Sequence, residues 1–187
     1  MMNPPMQPTL SDDRVLIRPL AADDFEALFA VASDPLIWEV HPAHDRWQEP
    51  VFRKYFDEGL ASNGAVVFVD RSTGKIIGGS RYESERDPIQ SGEVEIGWTF
   101  MSRDYWGGEW NRAVKRLMLR HAFDTGYKAA LFLVGEHNVR SRRAMEKIGG
   151  KLSDRTTVTE LAGKSIIHVV YEIRPDDFAA GPLNTSA

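Results

Sequence analysis

The 187-residue sequence contains no cysteine. Disulfides, thiolate metal sites and a cysteine nucleophile are excluded together. Long apolar runs are missing too: nothing approaches the ~18 residues of a membrane span. Met1 to Leu10 carries no positive charge and no apolar stretch of useful length, so no signal peptide is read there. These absences predict a cytoplasmic protein with no membrane partner. There is no excess of positive charge either. Lys and Arg number 23 against 27 Asp and Glu, a formal net charge of -4. Proteins that grip duplexes are usually basic, so nucleic acid is disfavoured as the main partner.

What is present is ordinary for a globular domain, 42% hydrophobic and 27% charged, and long enough to bury one core. Residues 1–12 are rich in Pro and Met and read as a flexible arm; 13–175 read as the domain and 176–187 as a C-terminal tail. Arg14–Leu20 predicts a strand. Phe25, Leu28, Phe29 and Ala32 recur at helical spacing behind the capping residues Ala22 to Asp24, and Asp34-Pro35 stops that helix. Leu36 to Trp47 is irregular. A second helix starts near Pro50 and ends at Asn63-Gly64. Ala65–Asp70 and Lys75–Tyr82 form a hairpin, and 85–91 a loop. Gly92–Met101 is a strand in which Glu93, Glu95 and Gly97 alternate with Val94, Ile96 and Trp98. A loop over 102–109, a helix over 111–125, a strand over 129–134 and a basic helix over 139–148 follow. Strands over 156–161 and 165–173 close the chain through Ala162-Gly163. The order β α α β β β α β α β β predicts an α+β fold: a mostly antiparallel twisted sheet with helices on both faces.

Two segments carry chemistry. Tyr105-Trp106-Gly107-Gly108-Glu109-Trp110-Asn111-Arg112 lies between a strand and a helix, where turned backbone N–H groups and a helix N-terminus suit a phosphate. Glu136-His137-Asn138-Val139-Arg140-Ser141-Arg142-Arg143 continues to Gly149. Asn138 can cap the helix, and Arg140, Arg142, Arg143 and Lys147 make it basic in an acidic protein, as an anionic ligand would want.

Together these segments resemble the GNAT acetyltransferase superfamily, and within it the RimJ/RimL-like branch, which includes ribosomal-protein N-terminal acetyltransferases. Asn138-x-x-Ser141-x-Arg143-x-x-Glu146-Lys147-x-Gly149 matches that branch's second motif. Glu95-Ile96-Gly97-Trp98 looks like the strand before the pyrophosphate loop, and Tyr105-Trp106-Gly107 like the loop's start. The resemblance covers about residues 14 to 173. It implies a splayed strand pair and acetyl-CoA as cofactor. The backbone of Trp98, Thr99, Phe100 and Met101 would pair with the pantetheine arm. Trp106, Gly107, Gly108, Glu109, Trp110, Asn111 and Arg112 would cradle the pyrophosphate. Asn138 and Ser141 would meet the thiol end, Arg143 the phosphate or adenosine end, and Arg140 would also bind the cofactor. Three positions depart from the family: Glu109 replaces a loop glycine, Met145 stands where a proton-donating tyrosine is usual, and Gly150 replaces an aromatic.

The implied reaction is attack of a neutral amine on the thioester, with the amine belonging to a protein N-terminus or a small molecule. Glu95, with Glu93 as alternative, is the expected base, and Ser141 the expected donor to the thiolate. A backbone N–H of the splayed strand would hold the oxyanion. Trp38, His41, Trp47 and Tyr82 are the expected acceptor residues, with His44 beside them. His41 and His44 have no third ligand near them, so no metal site is expected. A homodimer is left open. Two other readings remain: a CoA- or nucleotide-binding module without catalysis, and an RNA- or ribosome-associated protein using the arginine-rich helix.

Overall fold

A computed structural model describes residues 6–161 and 163–184. It contains one eight-stranded sheet. In chain order the elements are β1 (Leu10–Ser11), β2 (Val15–Pro19), α1 (Phe25–Ala32), α2 (Pro35–Trp38), α3 (Glu49–Ala61), β3 (Ala65–Asp70), β4 (Ile76–Glu83), β5 (Glu93–Met101), α4 (Glu109–Asp124), β6 (Ala129–Gly135), α5 (Val139–Lys147), β7 (Lys151–Leu161), β8 (Lys164–Ile173) and α6 (Pro175–Ala180). The strands lie in the order β1-β2-β3-β4-β5-β6-β8-β7. All neighbours are antiparallel except β5 and β6. That parallel pair meets only from Glu93↔Ala129 to Glu95↔Leu131 and then diverges. The expected α+β sheet with a splayed pair is therefore present.

Each face of the sheet takes its own helices. Phe25, Leu28 and Ala32 of α1, Ile37 and Trp38 of α2, and Phe52 and Phe56 of α3 pack on Val67, Val69 and Phe100. Val114, Met118, Leu119 and Ala122 of α4, with Met145 and Ile148, pack with Val66, Phe68, Val94, Ile96 and Phe132. Alternate residues of one strand thus serve opposite cores, as the period-2 geometry requires.

Several sequence expectations change. The proline at 35 does more than stop α1: Asp34 caps α2 by accepting the Leu36 N–H at 3.0 Å, with Pro35 in the first turn. The irregular segment therefore holds a helix. β7 begins at Lys151, earlier than expected, because a register shift between Leu152 and Thr156 carries the strand past a break in its pattern. The expected N-terminal arm is docked from Met6 onward: Leu10–Ser11 is an edge strand, and Gln7 Nε2 donates to Ala65 O at 2.8 Å. Its first five residues lie outside the described set, as do Ala162 in the closing turn and residues 185–187 of the tail. The rest of that tail is also docked. Pro175–Ala180 is α6, and Leu183 is 1% exposed in the core. Arg112 Nη2 donates to Pro182 O at 2.6 Å and Arg116 Nε to Leu183 O at 2.6 Å.

Candidate active site

Where β5 leaves β6, a cavity of about 830 Å³ opens between the strands, α4 and α5. Divergence strips β5 of its ladder partner on that side and exposes backbone groups to whatever fills the gap. The cavity wall includes Gly97 to Met101, Trp106 to Glu109, Asn111, Arg112, Asn138 to Ser141 and Arg143. Most expected cofactor residues are therefore brought together.

At one end, Gly107 adopts φ 72° and Gly108 is the N-cap of α4. The positive φ lets the loop turn without steric cost, and the first-turn N–H groups of α4, which have no intrahelical acceptor, belong to a segment of which Gly108, Glu109 and Asn111 line the cavity. Glu109 sits in that turn with Arg112 Nε 3.6 Å from its Oε2. Arg143 and Lys147, both exposed, reach the same cavity from α5. Arg140 joins them at helical spacing but is already engaged. Its Nη2 donates to Ile37 O at 2.8 Å, and its guanidinium lies 4.4 Å over the Trp106 ring. Arg142 points elsewhere, to Tyr171 Oη and Glu136 O. Trp106 anchors the loop through Nε1 to Met101 O at 2.9 Å. Trp110 does not line the cavity; it packs edge-on against Tyr105 at 4.8 Å.

At the other end Asn138 caps α5, its Oδ1 accepting the Ser141 N–H at 3.1 Å. The Nδ2 atom and Ser141 Oγ have no hydrogen-bond partner among the described residues, and both residues line the cavity. Met145, 6% exposed, fills the wall behind them. Across the gap β5 is kinked: Trp98 takes φ 53°, and the β4 register jumps from Gly79↔Phe100 to Arg81↔Gly97. This bulge turns Trp98 O away from the cavity to accept from Tyr55 Oη at 2.7 Å. The Trp98 carbonyl is thus already bonded within the protein, while the residue itself lines the cavity. Thr99 Oγ1 accepts from Lys115 Nζ at 2.9 Å and meets Ser80 Oγ at 2.8 Å.

The two candidate bases lie outside the cavity wall. Glu93 is bound by Arg155, with Nη1 to Oε2 at 2.9 Å and Nη2 to Oε1 at 3.1 Å. Burial alone would raise its pKa, but the Arg155 pairing brings it below the ordinary range. Glu95 is 2% exposed. Burial raises its pKa, and Arg86, though hydrogen-bonded to both oxygens at 2.8 and 2.7 Å, does not fully offset that. Glu95 lies against Gly97, where a Cβ would come within 2.7 Å of Oε1. Gly97 itself lines the cavity, so the buried carboxylate packs directly against a wall residue.

Of the acceptor candidates, Trp38 and His41 line the cavity. Trp38 is also a core residue, 1% exposed, with Nε1 bonded to Ala32 O at 2.7 Å. Burial and the nearby Arg46 push the His41 imidazole down to about 3, so it is neutral at pH 7. Its Nδ1 accepts the Ala43 N–H at 2.9 Å, which leaves the proton on Nε2. Tyr82 is a core residue whose hydroxyl donates to Met118 O at 2.8 Å, and Trp47 is 40% exposed away from the cavity wall.

A family model described as an acetyltransferase (GNAT) domain matches residues 14–151. The chain belongs to the GNAT acetyltransferase family. Solved GNAT structures share the fold. A GCN5-related N-acetyltransferase from Brucella melitensis superposes at TM-score 0.76 and 21% identity, over 93% of this chain and 81% of that one. A GNAT-family acetyltransferase from Bacillus anthracis gives 0.73 and 17%, over 90% and 99%. A ribosomal-protein-S5-alanine acetyltransferase from Vibrio fischeri gives 0.65 and 16%, over 91% and 98%. Within this GNAT cavity, sequence reasoning missed Lys115. It lies three and four residues before Met118 and Leu119, so the apolar stripe of α4 could have flagged it as a buried cation.

Proposed function

We propose that the protein moves an acetyl group from acetyl-CoA to the nitrogen of a primary amine. The carrying observation is the splay between β5 and β6, a cavity lined by a helix N-terminus and the exposed Arg143 and Lys147, and by Asn138 Nδ2 and Ser141 Oγ, which have no hydrogen-bond partner among the described residues. That layout fits a long molecule with phosphates at one end and a thiol at the other. Acetyl-CoA would supply the acyl group as a thioester. The N–H groups opening α4, with Arg143 and Lys147, hold its negative charge. Glu109 is compatible with this because Arg112 pairs with it. Asn138 Nδ2 and Ser141 Oγ orient the thiol end, and Ser141 Oγ donates a proton there. Glu95 takes the amine's proton through a water placed over Gly97. The match of Asn138 to Gly149 supports a place in the RimJ/RimL-like branch.

Glu95→Gln should lower kcat by about 10²-fold, in the range expected for losing a general base, and leave acetyl-CoA binding within about twofold. The wild-type rate should climb with pH through the raised pKa of Glu95, because the base must be ionised, and the variant should lose that limb. Thiol release across a panel of amines, with calorimetry for the cofactor, checks this. A rate and pH profile unchanged in the variant would remove Glu95 from the mechanism. The Arg86–Glu95 pair favours a second reading, binding without catalysis; cofactor binding with no thiol released for any amine would establish it.

A further inference from the structure

Partly buried arginines in this protein mostly have a bonded oxygen partner. Arg18 pairs with Asp24, Arg86 with Glu95, and Arg155 with Glu93 and Glu172, while Arg116 and Arg142 donate to carbonyl or hydroxyl oxygens. Arg46 and Arg81 have neither kind of side-chain partner among the described residues. Neither has a carboxylate oxygen within 4.0 Å among the described residues. Arg81 is 7% exposed and its Nε is buried with no hydrogen-bond partner. Both guanidinium groups rest on aromatic faces instead. Arg46 lies 4.7 Å from the Tyr55 ring centre and 5.3 Å from that of Trp38. Arg81 lies 4.3 Å from the Trp98 ring centre, and Arg86 4.6 Å from the same ring.

These contacts form one cluster. The Tyr55 hydroxyl is bonded to Trp98 O, and Trp38 and Trp98 both line the cavity. Arg46, Arg81 and Arg86 are not wall residues themselves; they lie against the rings of these two wall residues, with a single paired carboxylate, Glu95, among them. Asp45, Glu58 and Glu83 act on the two lone guanidinium groups only from beyond ion-pair distance. Withdrawing a guanidinium from water without an acceptor is unfavourable. Ring faces return only part of that loss. A planar fork of N–H donors is completed by a carboxylate or phosphate.

We propose that Arg46 and Arg81 form an anion subsite beside Trp98, so that the acceptor amine carries a carboxylate or phosphate in the same molecule. This rests on the acetyl-transfer reading of the cavity. The strand register sets the spacing. Arg81 pairs with Gly97 and Glu83 with Glu95, so Arg81 and Glu95 are diagonal neighbours on one sheet face. Such positions are about 7–8 Å apart. A molecule with its amine at the Glu95 window and its anion at Arg81 needs only a short linker between the two.

The test uses the full chain with saturating acetyl-CoA and matched acceptors: glycine with glycinamide, β-alanine with β-alaninamide, phosphoethanolamine with ethanolamine, and the C-terminally amidated peptide Ser-Glu-Ala with amidated Ser-Gln-Ala. Thiol release is measured. The anionic member of at least one pair should exceed its neutral twin in kcat/KM by about tenfold or more. Which pair does so separates carboxylate from phosphate and free amino acid from peptide. Arg46→Gln and Arg81→Gln should each bring that ratio toward one, through KM rather than kcat. Arg46→Gln alone, on a partly exposed residue, carries the test if Arg81→Gln does not fold by circular dichroism. Neutral amines acetylated as fast as their anionic twins would overturn the subsite and leave acetyl transfer standing. A preference that survives in every folded variant would overturn it too. No thiol released with any amine would overturn both.

Discussion

Lys115 shows what one inward-facing charge does to a domain. The residue is 2% exposed, and its ammonium has Thr99 Oγ1 as hydrogen-bond partner and lies 5.3 Å from the Phe132 ring centre. Burial pushes its pKa down to about 7. An unfolded lysine titrates at about 10.4. Between those two values the unfolded chain binds the proton more tightly, so this group makes stability rise with pH across the window. Below about 7 both states are protonated and the full cost of the buried charge is felt. Lys115→Met should therefore stabilise the protein without cofactor by about 1–3 kcal/mol at pH 6, and the gain should shrink by pH 9.5. Urea denaturation at the two pH values checks both parts. Residues of this kind were hard to read in the sequence. A lysine on a helix is exposed nearly always, and only the neighbouring apolar spacing marks Lys115 as an exception. The same holds for Glu93 and Glu95. Strand alternation placed them on one face, but only the fold brings Arg155 to the first and Arg86 to the second.

At the scale of elements, the sequence was legible wherever a cap and a period coincided. Helix α5 is the best case: Asn138 at its start, a basic face, and Gly149 at φ 93° past its end. Because Asn138 both caps the helix and lines the cavity, Asn138→Ala should lower stability by about 1 kcal/mol and weaken coenzyme A binding at once. Arg143→Ala should weaken binding several-fold with no loss of stability, since that side chain is exposed and has no partner among the described residues. The Arg143 effect should fade at high salt, as exposed charges are screened within about 10 Å at 0.1 M. Calorimetry at two salt concentrations, beside thermal melts, separates the two roles. Where elements were missed they were short. β1 has two residues and α2 four, too few for a period to show. Their existence depends on partners: the edge of β2 for one, and the Asp34 cap for the other.

For the whole molecule, the informative miss is the C-terminal segment. Polar, lacking a period and far from the motifs, it read as a tail. In the fold it closes one core. Phe178 meets Phe123 at 5.6 Å, Leu183 is buried, and two arginines of α4 bind the carbonyls of Pro182 and Leu183. The helix whose first turn borders the cavity is thus held in place by the end of the described chain. Leu183→Ala should cost about 2–4 kcal/mol, measured by urea denaturation. A value near zero would mean the segment rests on the surface without supporting it. A docked segment of this sort leaves no sequence signature because its contacts are with residues some 70 positions earlier.

The kink at Trp98 also gives the protein a built-in optical probe. Two guanidinium groups sit over that indole, one of them with no carboxylate at ion-pair distance among the described residues. Any ligand that draws either cation aside changes the electric field across the ring, and so its emission. The protein has five tryptophans, so the difference between wild-type and Trp98→Phe spectra isolates this one. Occupancy of the acceptor side can then be followed in real time without a label, with or without turnover.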